Sequence, residues 1–421
     1  MFFNWGYRAN LEIHQSTDEN SVELPRKNNE GTLKFSKFIS DFPEVDPSKK
    51  LYLNPWLFNG IFQTLYYSSA DSSHRFQIYY GREIFKYHDG GICSLDFVIP
   101  EPESKEDFQK IYKETLPEGW PRLMPRSRFF TEEELSVSQK HDQDSTKPIC
   151  VVIHGLAGGS HEPLIRNLAE NLTRGEDEGK WDVVVINSRG CCRTKITSAY
   201  LFTALSTDDI KEVVIELRKR YPKRPIYAAG FSFGAAVLGR YLSTDHAAQE
   251  IKASTLIGCP WDLNDSSRHI SSSWSGKYLF NPAVSSFLVK LISNNFKELH
   301  EGLPDVFSKE NMKEARSFKR TVQIDDTFTS QALGFKNAEE YYTFASPQNV
   351  LDKIKTPTLI LNSTDDPTVG VKLPIEQIEK NPYLCLVKTD LGGHLAWAQS
   401  GGKFWSVECV EKFFDKFEEV Y

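Results

Sequence analysis

The first candidate for chemistry is Ser232, which lies in the stretch GFSFG between Gly230 and Gly234. An apolar run (PIYAA) precedes this stretch and a helical pattern (AAVLGRYL) follows it. A strand that turns sharply into a helix strains the backbone at its tip, and flanking glycines relieve the steric conflict because they carry no Cβ. The side chain at the tip is then exposed above the sheet, as in a nucleophile elbow. The pattern therefore predicts that Ser232 is a nucleophile.

A serine nucleophile needs a base to take its proton and a carboxylate to hold that base. Asp365 and Asp366 follow the apolar run TPTLILN, and His394 lies in TDLGGHLAW after the run YLCLVKT. The carboxyl ends of parallel strands meet at one edge of a sheet, so an acid and a base from these runs can reach Ser232. The segment D-P-T-V resembles the common D-P-x-V form of the acid turn, which favours Asp366. Asp365 is then expected to be a turn or capping residue.

The segment HGLAGGS predicts an oxyanion hole. Its small residues leave the backbone accessible, and the N–H of Leu156 can pair with that of Phe233, which follows the nucleophile. The alternative is a glycine-rich turn between a strand and a helix that binds nothing. Nucleotide binding is disfavoured, because neither a Lys-Ser/Thr ending nor G-x-G-x-x-G is present.

The other histidines and cysteines near these segments are interpreted as structural. His154 precedes the serine and is expected to shape its loop, while His161 opens the next helix, where an exposed or capping role is favoured. Cys191 and Cys192, in NSRGCCRT, are expected to form a structural turn, because no His–Cys spacing supports activation of a thiol.

The elements that position these residues are short apolar runs: PICVVIHG, DVVVIN, IYAAGF, ASTLIGC, TPTLILN and YLCLVKT. Helical patterns near 161–174, near 207–220 and from Gly234 onward alternate with them. Continuous apolar strands that alternate with helices indicate a mainly parallel sheet covered on both faces. The sequence therefore predicts a doubly wound α/β domain.

The segment 262–350, between two of these strands, is too long for an ordinary connection. We interpret it as a helical cap insertion. Its apolar residues at helical spacing are Val284, Phe287, Leu288, Leu291, Ile292 and Phe296. Ordinary core packing explains this stripe, and the alternative is an apolar side that also lines a ligand pocket.

Residues 1–75 are predicted to be an irregular N-terminal extension packed on the core of a main domain over 76–421. The aromatic stretch LNPWLFNGIFQTLYY favours burial in that core, and docking on a lipid surface is the alternative. From Phe76, two apolar runs flank HDGG, which predicts a β-hairpin.

Composition excludes several classes of protein. Because 50 Lys+Arg face 57 Asp+Glu, giving a net charge of -7 with no basic block, nucleic acid is not an expected partner. The 7 cysteines are odd in number and lack C-x-x-C spacing, which favours a reducing compartment. No run of about 18 apolar residues and no signal-peptide pattern occurs, so we expect an intracellular protein that is not secreted.

Several longer strings together resemble one known family: HGLAGGSHEPLIRNLAENL, NSRGCCRTKIT, GFSFGA, PWDL, ALGFKNAEEYY, NSTDDPTVG and TDLGGHLAW. They resemble the ABHD-type α/β-hydrolases, in the group that contains the yeast medium-chain fatty acid ethyl ester synthase/esterases. YGREIFKYHDGGICSLDF and EGWPRLMPR extend the likeness toward the N-terminus.

The resemblance implies an α/β-hydrolase fold with Ser232 as nucleophile, Asp366 as acid and His394 as base. It also implies synthesis and cleavage of medium-chain fatty acid esters, with acyl-CoA as acyl donor and ethanol as acceptor. No metal or bound cofactor is implied. The location that it suggests is the cytoplasm or, peripherally, the lipid droplet or mitochondrial outer membrane.

Two alternative functions stay open from the sequence. A monoacylglycerol lipase or general carboxylesterase would use the same chemistry on the same scaffold. A non-catalytic lipid-binding protein would keep the fold for its pocket alone, because fold does not fix function.

Overall fold

The computed structural model describes residues 6–27, 30–69, 75–138, 144–174, 180–370 and 372–421. Its strands in chain order are β1 (Arg8–Ala9), β2 (Leu11–Gln15), β3 (Glu23–Pro25), β4 (Thr32–Lys34), β5 (Leu51–Tyr52), β6 (Tyr79–Lys86), β7 (Ile92–Ile99), β8 (Ser127–Phe129), β9 (Ile149–Ile153), β10 (Asp182–Asn187), β11 (Ile226–Phe231), β12 (Ile251–Ile257), β13 (Thr358–Ser363) and β14 (Leu384–Thr389).

The α-helices of the described residues are α1 (Phe35–Ser40), α2 (Gly60–Ser69), α3 (Lys105–Thr115), α4 (Glu132–Ser138), α5 (Pro163–Thr173), α6 (Thr207–Arg220), α7 (Phe233–Leu242), α8 (Asp245–Glu250), α9 (Leu263–Ser272), α10 (Asn281–Asn294), α11 (Phe296–Gly302), α12 (Lys309–Ala315), α13 (Thr321–Ile324), α14 (Ser330–Ala332), α15 (Ala338–Ala345), α16 (Ile375–Lys380) and α17 (Trp405–Val420). Short 3-10 segments are Pro43–Val45, Pro347–Lys353 and Ser400–Gly402, and π-type segments are Gly276–Phe280 and Asp325–Thr329.

The main sheet has the order β2-β14-β13-β12-β11-β9-β10-β7-β6-β8 within the described residues. From β14 to β10 all neighbours are parallel. The predicted hairpin around HDGG is confirmed as β6 and β7, which pair antiparallel and join the sheet through β10. The predicted mainly parallel α/β fold is therefore confirmed.

Both faces of the sheet are covered, which explains its continuous apolar strands. Every residue of β11 is buried. Tyr227 and Phe231 face a cluster that includes residues of α1, α5 and α17, whereas Ile226 and Ala228 face a cluster that includes residues of α6 and α7. Full burial of such a large apolar side chain contributes about 1.5–3 kcal/mol. The sheet is thus a rigid base for the loops at its carboxyl edge.

The N-terminal extension contains more regular structure than the sequence predicts. Its strand β2 pairs antiparallel with β14 and forms one edge of the main sheet. Phe38 of α1 packs edge-on against Phe413 and Phe417 of α17, with centroid distances of 5.9 and 5.5 Å. The prediction of an irregular backbone was wrong, because these short elements are stabilised by partners from the other end of the chain. The division at residue 75 stays a prediction.

The aromatic stretch of the extension is only partly buried. Leu53 is 2% exposed, as burial in the core requires, but Trp56 is 85% exposed and Phe62 is 41% exposed. The preference for core packing was therefore wrong for these two rings. Among the described residues, no helix combines the length and apolar character needed to cross a bilayer.

The segment between β12 and β13 contains helices α9 to α15. It has its own apolar cluster, which includes Leu299, Phe307 and Phe328. In the stripe predicted from the sequence, Ile292 joins this cluster, whereas Phe287 is 63% exposed. We call residues 262–350 the cap from here on.

Candidate active site

Ser232 lies at the turn between β11 and α7. Its backbone has φ 53° and ψ -121°, a region that a residue with a Cβ rarely adopts. A Cβ on Gly230 would lie 2.8 Å from the Cα of Ala235, and one on Gly234 would collide with the backbone oxygen of His154. Only glycine allows these approaches, so the local sequence builds the strained turn that exposes Ser232.

His394 connects the serine to a carboxylate. Its Nε2 lies 2.8 Å from Ser232 Oγ, and its Nδ1 lies 2.7 Å from Asp366 Oδ2. A carboxylate only accepts hydrogen bonds, so Nδ1 donates to Asp366 and leaves the Nε2 of the neutral ring free to accept the serine proton. The structure thus brings together the three residues that the sequence predicts, each from a loop that follows a parallel strand.

Asp366 is buried, with 2% exposure. Its Oδ1 accepts hydrogen bonds from the Thr368 N–H and hydroxyl, each at 2.8 Å, and from the Val369 N–H at 3.0 Å. Burial raises the pKa of Asp366, but His394 and these N–H groups outweigh it and hold the pKa below its usual value. The carboxyl group is therefore ionised at neutral pH and can stabilise a protonated His394.

Asp365 has a different set of contacts. Its Oδ1 accepts from the Ser363 hydroxyl at 2.6 Å and from the Gly393 N–H at 2.8 Å. Burial raises the pKa of Asp365 to about 6. Asp365 thus holds the backbone beside His394 and makes no hydrogen bond to the ring, in agreement with the turn role expected from the sequence.

The two backbone donors predicted for an oxyanion hole belong to loops that meet at Ser232. A Cβ on Gly155 would lie only 3.5 Å from Ser232 Cβ, which places the Leu156 loop beside the nucleophile. Within the described residues, neither the Leu156 N–H nor the Phe233 N–H has a hydrogen-bond acceptor. Both donors are therefore free to bind a substrate oxygen.

His154 supports the HGLAGGS loop of residues 154–160, which we call the oxyanion loop. Its Nδ1 donates to the Gly155 carbonyl at 2.6 Å, and its Nε2 accepts from the Ser188 N–H at 3.0 Å. Burial lowers the pKa of His154 to about 4, so the ring is neutral. The structural role that the sequence predicts for His154 fits these contacts.

Cys192 differs from the interpretation drawn from the sequence. The turn is present, but its Sγ lies 3.4 Å from His161 Nδ1 and 3.5 Å from Arg82 Nη2. Burial raises the pKa of Cys192, but His161 and Arg82 outweigh it and lower the pKa to about 7. The sequence shows no His–Cys spacing of this kind, because His161 reaches the thiol through space from another loop. His161 is neither a cap nor fully exposed.

A buried ion pair anchors the same loops to the hairpin. Arg82 of β6 binds both carboxylate oxygens of Asp96 of β7, at 2.6 and 2.8 Å. Ser160 donates to Asp96 at 2.5 Å, and Arg82 donates to the Cys192 carbonyl at 2.9 Å. Sequence reasoning missed this network, since its members are far apart in the chain and no motif joins them.

Two further residues near the site were also missed. Thr64 of α2 accepts the His394 N–H at 2.9 Å through its hydroxyl oxygen. The Glu162 carboxylate packs against Gly158 of the oxyanion loop, and burial raises its pKa. The acidic residue that follows GGSH was a visible signal for Glu162, whereas nothing in the sequence marks Thr64.

Sequence comparison agrees with the class that this fold and this elbow define. A family model described as alpha/beta hydrolase fold matches residues 148–396, more than half of the chain. The chain therefore belongs to the α/β-hydrolase family.

Individual relatives extend this similarity over almost the whole chain. Medium-chain fatty acid ethyl ester synthase/esterase 2 of Saccharomyces cerevisiae is 40% identical over 99% of this chain and 97% of that protein. Monoacylglycerol lipase of the same yeast is 32% identical over 97% of this chain and 91% of that protein. Human phospholipase ABHD3 is 27% identical over 87% and 77%, respectively. The resemblance seen in the motifs is thereby confirmed.

Proposed function

We propose that the protein hydrolyses and synthesises esters of medium-chain fatty acids through an acyl-serine intermediate. The observation that carries this proposal is the continuous hydrogen-bonded chain from Ser232 through His394 to Asp366. The relative with 40% identity, named as an ethyl ester synthase and esterase, supports the choice of substrate.

The first half of the reaction forms the acyl-enzyme. Ser232 Oγ attacks the acyl carbonyl while its proton passes to His394 Nε2, and Asp366 stabilises the ring once it is charged. The oxyanion of the tetrahedral intermediate accepts from the Leu156 and Phe233 N–H groups. When the carbonyl re-forms, the leaving alcohol or CoA thiol takes the proton from His394.

The second half discharges the acyl-enzyme. His394 takes a proton from an incoming water or ethanol, whose oxygen attacks the acyl carbon, and Ser232 leaves with that proton. Water gives the free fatty acid, so ester plus water becomes acid plus alcohol. Ethanol gives the ethyl ester, so acyl-CoA plus ethanol becomes ethyl ester plus CoA. These steps require no metal ion and no bound cofactor.

The test uses purified full-length protein with octanoyl-CoA and ethanol. We expect ethyl octanoate and free octanoate as products, and we expect a fluorophosphonate to label Ser232. Ser232→Ala is expected to lose the labelling and both products, by at least about a thousandfold in kcat. Retention of either activity in this variant would refute a shared acyl-serine.

A second candidate function is monoacylglycerol hydrolysis, which the lipase relative with 32% identity favours. The same residues would release glycerol as the leaving alcohol. Matched kinetics with 1-octanoylglycerol and ethyl octanoate separate the two functions. A kcat/KM more than about tenfold higher for the glyceryl ester would favour monoacylglycerol hydrolysis as the function.

We also propose that the protein contacts a lipid surface peripherally, such as a lipid droplet or the mitochondrial outer membrane. Trp56 is largely exposed and Phe62 is partly exposed, and the helix that carries Phe62 also carries Thr64, which binds the His394 loop. Interfacial aromatic rings favour such contacts. Trp56→Ala/Phe62→Ala is expected to reduce co-sedimentation with phosphatidylcholine vesicles, whereas Ile215→Ala, at an exposed site on α6, is the control.

A further inference from the structure

A small cavity lies between the cap and the loops that carry Leu156, Phe202 and Phe233. Its volume is about 60 Å³. The loops of the main domain contribute Leu156, Phe202 and Phe233 to its lining, and the cap contributes Leu291 and Ile292. Leu156 and Phe233 are also the residues whose N–H groups are proposed to bind the substrate oxygen, so the cavity adjoins the proposed oxyanion hole.

Most of the lining is apolar and held in place from behind. Phe202 and Phe233 pack edge-on, with centroids 5.5 Å apart and planes at 84°. On the cap side, Ile292 and Ile324 are 2% and 1% exposed and belong to the apolar cluster of the cap. A fixed apolar space of this kind takes a hydrocarbon chain and offers little to a hydroxylated alcohol.

The cap side of the cavity also carries a compact polar group. The Tyr342 hydroxyl donates to the Asp325 carboxylate, and Thr329 lines the cavity beside them. Tyr342 and Thr329 are each 7% exposed, and loss of hydration raises the pKa of Asp325. These groups satisfy one another, so a methylene chain pushed among them would break a buried hydrogen bond and replace it with nothing.

We propose that this cavity binds the acyl chain of the substrate and that the Asp325–Tyr342 pair limits the length of that chain. The inference rests on the proposed ester chemistry and adds to it the site that selects the acyl group. It gives the apolar stripe of the cap a function at Leu288, Leu291 and Ile292, which line the cavity, but not at Phe287, which faces solvent.

The volume sets an expected chain length. A cavity of about 10–15 Å³ holds one water-sized group, so about 60 Å³ holds about four to six methylene groups. Each methylene that leaves water on binding contributes about fourfold to kcat/KM. We therefore expect kcat/KM to rise from acetyl to about hexanoyl or octanoyl esters and to fall for longer chains that reach the Asp325–Tyr342 pair.

The test measures kcat/KM of the full-length protein for p-nitrophenyl esters from acetate to dodecanoate. Leu291→Trp fills the cavity and is expected to lower the octanoate-to-acetate ratio of kcat/KM more than about tenfold. The control is Phe287→Ala on the same helix, which is expected to leave the whole profile unchanged. An unchanged profile in Leu291→Trp would overturn the acyl-chain assignment.

The length limit is tested by removing both polar partners together. Asp325→Leu/Tyr342→Phe leaves no orphaned donor or acceptor in the pair, and it is expected to raise the decanoate-to-octanoate ratio at least about fourfold. An unchanged ratio in a variant with a wild-type circular dichroism spectrum would overturn the role of the pair. If the double variant does not fold, Leu288→Ala, which removes side-chain volume from the cavity lining, must shift the optimum to longer esters, and no shift would overturn the limit.

Two outcomes separate this inference from the proposed function. If the fluorophosphonate labels Ser232 and acetate is hydrolysed while Leu291→Trp changes only the ratio of glyceryl to ethyl octanoate, the cavity binds the alcohol and the acyl assignment is wrong. If Ser232 is not labelled and no ester is cleaved, the proposed function itself fails.

Discussion

The two sides of the active site are built in different ways. On the inner side, Ser232, Asp366 and His394 each follow a strand of the parallel sheet and reach one another within 2.8 Å. On the outer side, Thr64 of α2 and Leu291 of the cap approach the same loops from distant parts of the chain. In the proposed mechanism the inner side holds the atoms that react, whereas the outer side shapes what surrounds them.

This difference separates reactivity from selectivity. A change on the inner side alters a group that touches the reacting atoms, so kcat should fall for every ester alike. A change on the outer side alters packing or loop position, so its effect should be smaller or should depend on the ester. Variants on the two sides therefore test whether the inner side determines reactivity and the outer side determines ester selectivity.

The largest effect is expected for the acid of the inner side. Asp366→Asn keeps the shape of the side chain but removes the charge that holds the His394 tautomer, so kcat should fall by about 10⁴. Asp365→Asn is the matched control, because the neighbouring carboxyl group makes no hydrogen bond to the ring, and it should lose less than about tenfold. Steady-state hydrolysis of p-nitrophenyl octanoate measures both variants.

The opposite order of these two losses would assign the acid to Asp365. Comparable losses in both variants would mean that the two carboxyl groups act as one unit. The support of His394 would then not rest on Asp366 alone.

A smaller loss is expected on the outer side, at Thr64. Thr64→Val keeps the volume but leaves the His394 N–H without its acceptor, so kcat should fall about tenfold. The matched control is Ser68→Ala, one turn later in α2, whose hydroxyl donates to the Thr64 carbonyl at 2.8 Å and has no bond to the His394 loop in the described part of the chain. If both variants kept wild-type kcat for every ester, α2 would have no part in positioning His394.

The inner side was predictable because its signals are local. Each signal lies within a few residues of the group that it positions. These signals are the glycines around Ser232, the D-P-T-V turn at Asp366 and the two glycines before His394. An apolar run before each of them predicts the strand, and parallel strands bring the three side chains to the same edge of the sheet.

The outer side was not predictable, because its contacts join distant segments. The hydroxyl of Thr64 meets a backbone group 330 residues away, and β2 finds its partner in β14. Hydrophobic periodicity shows that a stretch is amphipathic, but it does not show which surface covers it. The exposure of Trp56 and the approach of His161 to Cys192 were missed for the same reason.

The next effect is on stability and comes from Asp365. Its pKa of about 6 lies above the usual value of an aspartate, about 3.9, so between about pH 4 and pH 6 the folded state binds more protons than the unfolded state. The free energy of unfolding therefore falls as pH rises through this window. The fall is about 2 kcal/mol, a figure reduced for solvent screening because the Asp365 side chain is only half-buried. Asp365→Asn removes this titration.

Urea unfolding of wild type and Asp365→Asn at pH 4 and pH 8 measures the effect. Relative to wild type, the variant should be more stable at pH 8 than at pH 4 by about 2 kcal/mol. A difference between the two proteins that does not change with pH would show that Asp365 does not carry a raised pKa.

The smallest effect on activity is expected at Cys192, which supports the oxyanion loop without touching the reacting atoms. Cys192→Ser should keep kcat within about threefold, because a hydroxyl can still bond to His161 and Arg82.

The Cys192 thiol should nevertheless react faster with alkylating reagents than the thiol of Cys191. Both cysteines are buried, but the pKa of Cys192 is about 7, whereas burial alone raises that of Cys191. Iodoacetamide at pH 7.5, followed by mass spectrometry, should therefore modify Cys192 first, and His161→Gln should slow that step by raising the thiol pKa. Equal labelling of the two cysteines would mean that His161 does not activate the thiol, and that its contact with Cys192 is only steric.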